Sequence, residues 1–91
     1  MALYKVVFKT TVKKDFKKIS NKKDSEKILD TIQRLSQTPR PVGTVKLKVE
    51  GQYYWRVRVG DYRIIYEIRD SDKTISILAV GHRKDIYQQI E

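Results

Sequence analysis

Tyr54-Trp55-Arg56-Val57-Arg58-Val59-Gly60-Asp61-Tyr62-Arg63-Ile64-Ile65-Tyr66-Glu67-Ile68 is two β-rich runs separated by two residues. Gly60-Asp61 has the length of a tight hairpin loop, with glycine free to take a positive φ. The register follows, because paired residue numbers must then add to 121. Val59 faces Tyr62, Arg58 faces Arg63, Val57 faces Ile64, Arg56 faces Ile65 and Trp55 faces Tyr66. One face collects Trp55, Val57, Ile64 and Tyr66, and the other collects Arg56, Arg58 and Arg63. That is the pattern of a half-buried antiparallel sheet with an unusually basic open side.

The neighbouring segments extend this sheet. A turn at Ser71-Asp72 gives pairs that add to 143, placing Ile68 with Ile75, Tyr66 with Ile77 and Arg63 with Val80. By the same parity His82 falls on the basic face, and Gly81 lets the chain turn so that Arg83 reaches it. Upstream, Val45, Leu47 and Val49 alternate with Lys46 and Lys48. A three-residue loop Glu50-Gly51-Gln52 would set Lys48 beside Tyr54 and Lys46 beside Arg56.

The N-terminal half has a helical period. Leu3–Phe8 reads as a first strand, with an N-cap at Thr10-Thr11. Val12, Phe16 and Ile19 recur at helical spacing, and after Ser20-Asn21 a second stripe runs through Ile28, Leu29, Ile32 and Leu35. Thr38-Pro39-Arg40-Pro41 ends it, since proline cannot continue a helix. Ile86 and Ile90 predict a short C-terminal helix. The expected fold is α+β, a small twisted, mainly antiparallel sheet of four to five strands. An N-terminal helical hairpin covers one face, within a single domain spanning residues 1–91.

Composition narrows the function classes. The 91 residues carry 20 Lys and Arg against 11 Asp and Glu, a formal charge of +9, which makes polyanions the default partners. Residues 1–27 alone hold nine Lys against three acidic groups. Helical spacing there reads as solvated faces, so the specific signal lies in the sheet. The 26 Leu, Ile, Val and Phe residues are enough for a packed core. Absence of cysteine excludes disulfides, thiolate metal sites and a cysteine nucleophile, and fits a reducing, cytoplasmic setting. No apolar run is long enough to span a membrane, so no membrane partner is expected.

Lys46, Lys48, Arg56, Arg58 and Arg63, with Tyr54 among them, are the candidate site. Like charges in cross-strand register cost stability, so a cluster held against its own repulsion points to a bound anion. A phosphodiester flanked by bases suits guanidinium and ammonium groups interleaved with tyrosine. There is no carboxylate pair with glycosidase placement, no glycine-rich phosphate loop and no metal-ligand spacing, so neither a metal nor a small-molecule cofactor is expected. Attack of a ribose 2′-hydroxyl on its own phosphodiester remains open to such residues. It needs orientation, charge stabilisation and two proton movements, for which His82 or a tyrosine is a candidate.

Lys46-Leu47-Lys48, the Tyr54–Tyr66 hairpin and Val80-Gly81-His82-Arg83-Lys84-Asp85-Ile86-Tyr87 resemble the RelE branch of the RelE/ParE toxin superfamily, and the order of elements agrees along the chain. The resemblance implies the toxin of a type II toxin–antitoxin system. Its activity would be metal-independent, ribosome-dependent endonucleolytic cleavage of mRNA in the A site, and a cognate antitoxin would silence it. It carries the family's basic pair onto Arg56 and Arg58, its phosphate-stabilising arginine onto Arg63 and its second arginine onto Arg83. The base-stacking tyrosine falls on Tyr87, and Lys48 matches a residue that helps hold RNA. The sequence departs from relatives that carry Lys at positions 56 and 58, and no Glu base matches His82. Two other readings are a ParE-like inhibitor of DNA gyrase, which shares the fold, and a non-catalytic RNA- or ribosome-binding module.

Overall fold

A computed structural model describes residues 3–86. The elements run β1 (Lys5–Phe8), α1 (Val12–Lys17), α2 (Lys22–Leu35), β2 (Val45–Val49), β3 (Gln52–Val59), β4 (Tyr62–Arg69) and β5 (Thr74–His82). The strands form one sheet in the order β1-β5-β4-β3-β2. β2 to β5 are joined antiparallel, while β1 runs parallel to β5, pairing Lys5 with Thr74 and Phe8 with Ile77. Among the described residues the fold is thus α+β with a five-stranded mixed sheet and two helices. The C-terminal helix expected around Ile86 and Ile90 falls mostly outside the described residues. No helix among the described residues is long and apolar enough to cross a membrane.

Alternation along the strands and the helical period along α1 and α2 meet in one core. Val12 and Ile19 join Ile28, Ile32 and Leu35 from α2 and Val57, Ile64, Tyr66, Ile75, Ile77 and Val80 from the sheet. Each fully buried aliphatic side chain here contributes about 1.5–3 kcal/mol relative to exposure. Leu29, grouped with this stripe on sequence grounds, is instead 44% exposed, one residue past the face that Ile28 buries. α2 begins at Asn21, whose side chain accepts hydrogen bonds from the Lys23 and Asp24 N–H groups at 2.8 and 3.3 Å. α1 begins at Thr11 without a side-chain cap, contrary to the expected capping role.

Of the three expected registers one matches in full, one matches over part of its length and one does not. β3 and β4 pair as expected from Trp55–Tyr66 to Val59–Tyr62. β2 and β3 are joined by a two-residue loop, Glu50-Gly51, both at positive φ (50° and 81°). The loop is one residue shorter than the expected Glu50-Gly51-Gln52, and its positive φ at position 50 is costly for Glu. The pairing therefore slips by one, and Lys46 faces Trp55 while Lys48 faces Tyr53. Between β4 and β5 the expected pairs hold from Arg69–Thr74 to Tyr66–Ile77, and then an irregularity adds one residue to β5. Beyond it Ile65 faces Ala79, Ile64 faces Val80, Arg63 faces Gly81 and Tyr62 faces His82. Such a bulge reverses the parity of everything that follows.

α1 also anchors this part of β5. Asp15 is only 8% exposed, and its carboxylate accepts the Val80 N–H at 3.0 Å. β1 pairs with β5 only as far as Ile77, so Asp15 supplies the acceptor that a longer β1 would have offered.

The connection from α2 to β2 is tied down at the far side of the molecule. Tyr66 is buried and donates its hydroxyl to the Pro39 carbonyl at 2.7 Å. Arg40 binds both oxygens of Asp70, at 2.9 and 3.4 Å, and the Tyr4 hydroxyl donates to Asp70 at 2.7 Å. Hydrogen bonds from Arg40 and then Tyr4 hold the Asp70 carboxyl below the usual carboxylate range.

Asp15→Ala should cost about 1–3 kcal/mol in urea unfolding by stranding the Val80 N–H, and Asp15→Asn, which keeps an acceptor, should cost less. Because the folded state depresses the Asp70 pKa, the Asp70 contribution is present at neutral pH and disappears as pH falls through the carboxylate range. Asp70→Asn should consequently flatten part of the acid limb of a melting temperature against pH curve.

Candidate nucleic-acid site

The open face of β3 and β4 carries Arg56, Arg58 and Arg63, as the alternation requires. Arg58 lies directly opposite Arg63, and Arg56 lies opposite Ile65. Their surroundings differ. Arg58 is exposed, Arg56 is half-buried, and Arg63 is buried at 8% exposure. The Arg63 guanidinium folds back along the hairpin, and its Nη1 donates to the Gly60 carbonyl at 3.0 Å and the Tyr62 carbonyl at 2.9 Å. Across from it stands Gly81. The crowding of Arg58 and Arg63 is thereby eased, since carbonyl dipoles share part of the Arg63 charge.

Arg83 arrives at the same turn from the end of β5. Its N–H donates to the Asp61 carbonyl at 2.8 Å, and its Nε lies 3.9 Å from an Asp61 carboxylate oxygen, with both side chains more than half exposed. An ion pair so open to water is weak and leaves the guanidinium able to exchange partners. Gly60, Asp61 and Tyr62 thus form a hub for Arg63 and Arg83. Beside them Tyr54 and Leu47 pack on a small apolar cluster of Ile65, Ala79 and Ile86. The face is a basic rim around an apolar floor, a surface on which a base can lie while its phosphate meets arginine.

Three residues expected on this face lie elsewhere. Lys46 and Lys48, shifted by the shorter loop, stand on the opposite side with Trp55 and Tyr53, so neither neighbours Arg56. His82, shifted by the bulge, turns to the helix side, where its ring meets that of Tyr62 edge-on at 5.7 Å and its Nδ1 accepts the Lys84 N–H at 3.2 Å. There it borders a cavity of about 390 Å³ with Asp15, Lys18 and Asp85. Tyr87 lies outside the described residues. Sequence reasoning missed the Gly60 and Tyr62 carbonyls, because backbone acceptors leave no trace in side-chain patterns. It also missed Arg40 and Asp70, whose partnership joins positions thirty residues apart.

Comparison with known proteins gives the site a family. The family described as ParE toxin of type II toxin–antitoxin system, parDE, matches residues 6–87. Toxin RelG of Mycobacterium tuberculosis is 35% identical over 86 residues, covering 94% of this chain and 98% of the relative. An archaeal RelE–RelB complex from Pyrococcus horikoshii superposes with a TM-score of 0.77 at 31% identity, covering 91% of this chain and 97% of the other. The toxin–antitoxin complex RelBE2 of Mycobacterium tuberculosis superposes at 0.76 with 30% identity, covering 89% and 99%. The chain belongs to the ParE toxin family of type II toxin–antitoxin systems. Within that superfamily it is a RelE-like toxin.

Arg58→Glu should leave stability unchanged or raise it by several tenths of a kcal/mol, because it replaces a like-charge pair with Arg63 by an opposite one. Arg63→Ala should lower stability by about 1.5–3 kcal/mol through loss of buried charged hydrogen bonds, measured in the same unfolding series.

Proposed function

We propose that this toxin is a ribosome-dependent mRNA endonuclease that cleaves A-site codons without a metal, and that a cognate antitoxin silences it. The observation that carries the reading is the gathering of Arg58, Arg63 and Arg83 about one hairpin turn beside an apolar floor. Attack by the ribose 2′-oxygen forms a bond to phosphorus and breaks the bond to the 5′-oxygen, giving a 2′,3′-cyclic phosphate and a 5′-hydroxyl. The arginines neutralise charge that builds on the phosphorane, a contribution that grows in a water-poor site. Arg63, fixed by two carbonyls, is the preorganised donor, and Arg58 and Arg83 are the mobile ones. Arg56 holds the adjoining backbone, Tyr54 meets a base, and Tyr87 stacks on the substrate by its likeness to the family motif.

Proton movements are the weak part of this machine. The 2′-hydroxyl must lose a proton and the leaving 5′-oxygen must gain one, while arginines stay protonated at neutral pH. His82, turned to the helix side, takes no part in proton transfer in this arrangement. Catalysis then rests on charge stabilisation and on alignment of the nucleotide for in-line attack, which explains a need for the ribosome to hold the codon. The complexes of relatives with RelB support a protein antitoxin as partner. Acting in this way, the toxin inhibits translation in the cytoplasm. The family match to ParE keeps a second reading in view, inhibition of DNA gyrase by binding.

Brief induction should produce in-frame mRNA 3′ ends within translated codons and leave plasmid supercoiling normal. Arg58→Ala and Arg83→Ala should each reduce the breaks by 100-fold or more, in line with the loss of one transition-state donor. Altered supercoiling without breaks would select the gyrase reading instead.

A further inference from the structure

The reverse side of the sheet carries a second arrangement of basic and aromatic groups. The Lys46 ammonium lies 4.1 Å from the centre of the Tyr53 ring and 5.5 Å from that of Trp55. Lys48 lies 5.7 Å from Tyr53, and the Arg40 guanidinium lies 4.7 Å over Trp55. The order Arg40, Trp55, Lys46, Tyr53, Lys48 is a ladder in which cations and rings alternate. Its geometry is set by the Glu50-Gly51 loop, which pairs Lys46 with Trp55 and Lys48 with Tyr53. Arg40 is fixed in turn by Asp70.

The ladder is built and open. Tyr53 is 50% exposed, Lys46 and Lys48 are exposed, and neither lysine forms an ion pair with the described residues. Successive rungs on one face of a strand are about 7 Å apart, so the lysines present charge at regular steps. A ring with a cation over it gains about 0.5–1 kcal/mol at an exposed site, which a phosphate and a base replace when one takes the cation and the other the ring. Arginine-face binding cannot use these residues, because they point to the other side of the sheet.

We propose that this ladder is a second nucleic-acid contact, which grips single-stranded RNA other than the strand being cut. It rests on the nuclease reading only in taking RNA as the polyanion. A domain with RNA on both faces of one sheet would be clamped in place while the arginine face acts.

Trp55 is the only tryptophan, so its fluorescence reports on this strip. The probe is a short 2′-O-methyl oligoribonucleotide, which cannot undergo 2′-hydroxyl attack, titrated into Arg58→Ala protein to weaken the arginine face. Binding should quench Trp55. Adding Tyr53→Ala should weaken the quenching isotherm about tenfold. Adding Lys46→Ala with Lys48→Ala should make the dependence of log affinity on log salt shallower by about 1.4, the share of two phosphates on a single strand. Circular dichroism melting of each variant confirms the fold. An oligonucleotide that binds without quenching Trp55, or a salt dependence that the lysine substitutions leave unchanged, overturns the proposal. Quenching by polyglutamate equal to that by RNA would also overturn it in favour of an acidic protein partner. If wild-type protein cuts no RNA while the Trp55 response persists, the nuclease reading fails and the ladder stands.

Discussion

One extra residue in β5 decides which side chains share a face with the arginines of this sheet. Up to Tyr66–Ile77 the strands β4 and β5 run in simple alternation, and beyond it every side chain of β5 changes sides. The change sends Val80 into the helix-covered core and His82 toward α1, and it brings Gly81 opposite Arg63. The bulge therefore both sets a glycine opposite Arg63 and removes an imidazole from the arginines.

Arginine crowding on an open sheet needs an account of its cost, and the hairpin turn provides one. Carbonyl oxygens of Gly60 and Tyr62 receive Arg63, while the carbonyl and carboxylate of Asp61 receive the main chain and side chain of Arg83. The three turn residues are thus the counter-charge of the site. Repulsion is spread over fixed dipoles, which do not move when a ligand arrives. Arg58 is exposed to water, with Arg63 opposite it held by the turn.

Much of this was legible in the sequence. The Gly60-Asp61 spacing sets the β3–β4 register without ambiguity, because two residues admit few turns and both flanking runs alternate cleanly. Arg56, Arg58 and Arg63 share one face as a consequence. The registers of β2 and of the end of β5 were not legible, for two physical reasons. Glu50 adopts a left-handed conformation that its residue type disfavours, so the loop looked one residue longer than it is. Leu78 is as apolar as its neighbours, so nothing in the pattern marked an unpaired position there. Leu47, expected with Val45 and Val49 on the apolar face, instead packs with Tyr54 against Ile65 and Ala79 on the arginine side.

The carboxylate of Asp15 has a bearing on how the molecule behaves in a crowd. β1 is four residues long and leaves the upper part of β5 without a neighbouring strand. Bare main-chain donors at such a border invite a foreign chain to add itself to the sheet. By occupying the Val80 donor from a helix, Asp15 seals the gap with a charged group instead of another strand. At the opposite border β2 carries Lys46 and Lys48, so two unlike devices, a plug and a pair of charges, guard the sheet against self-association.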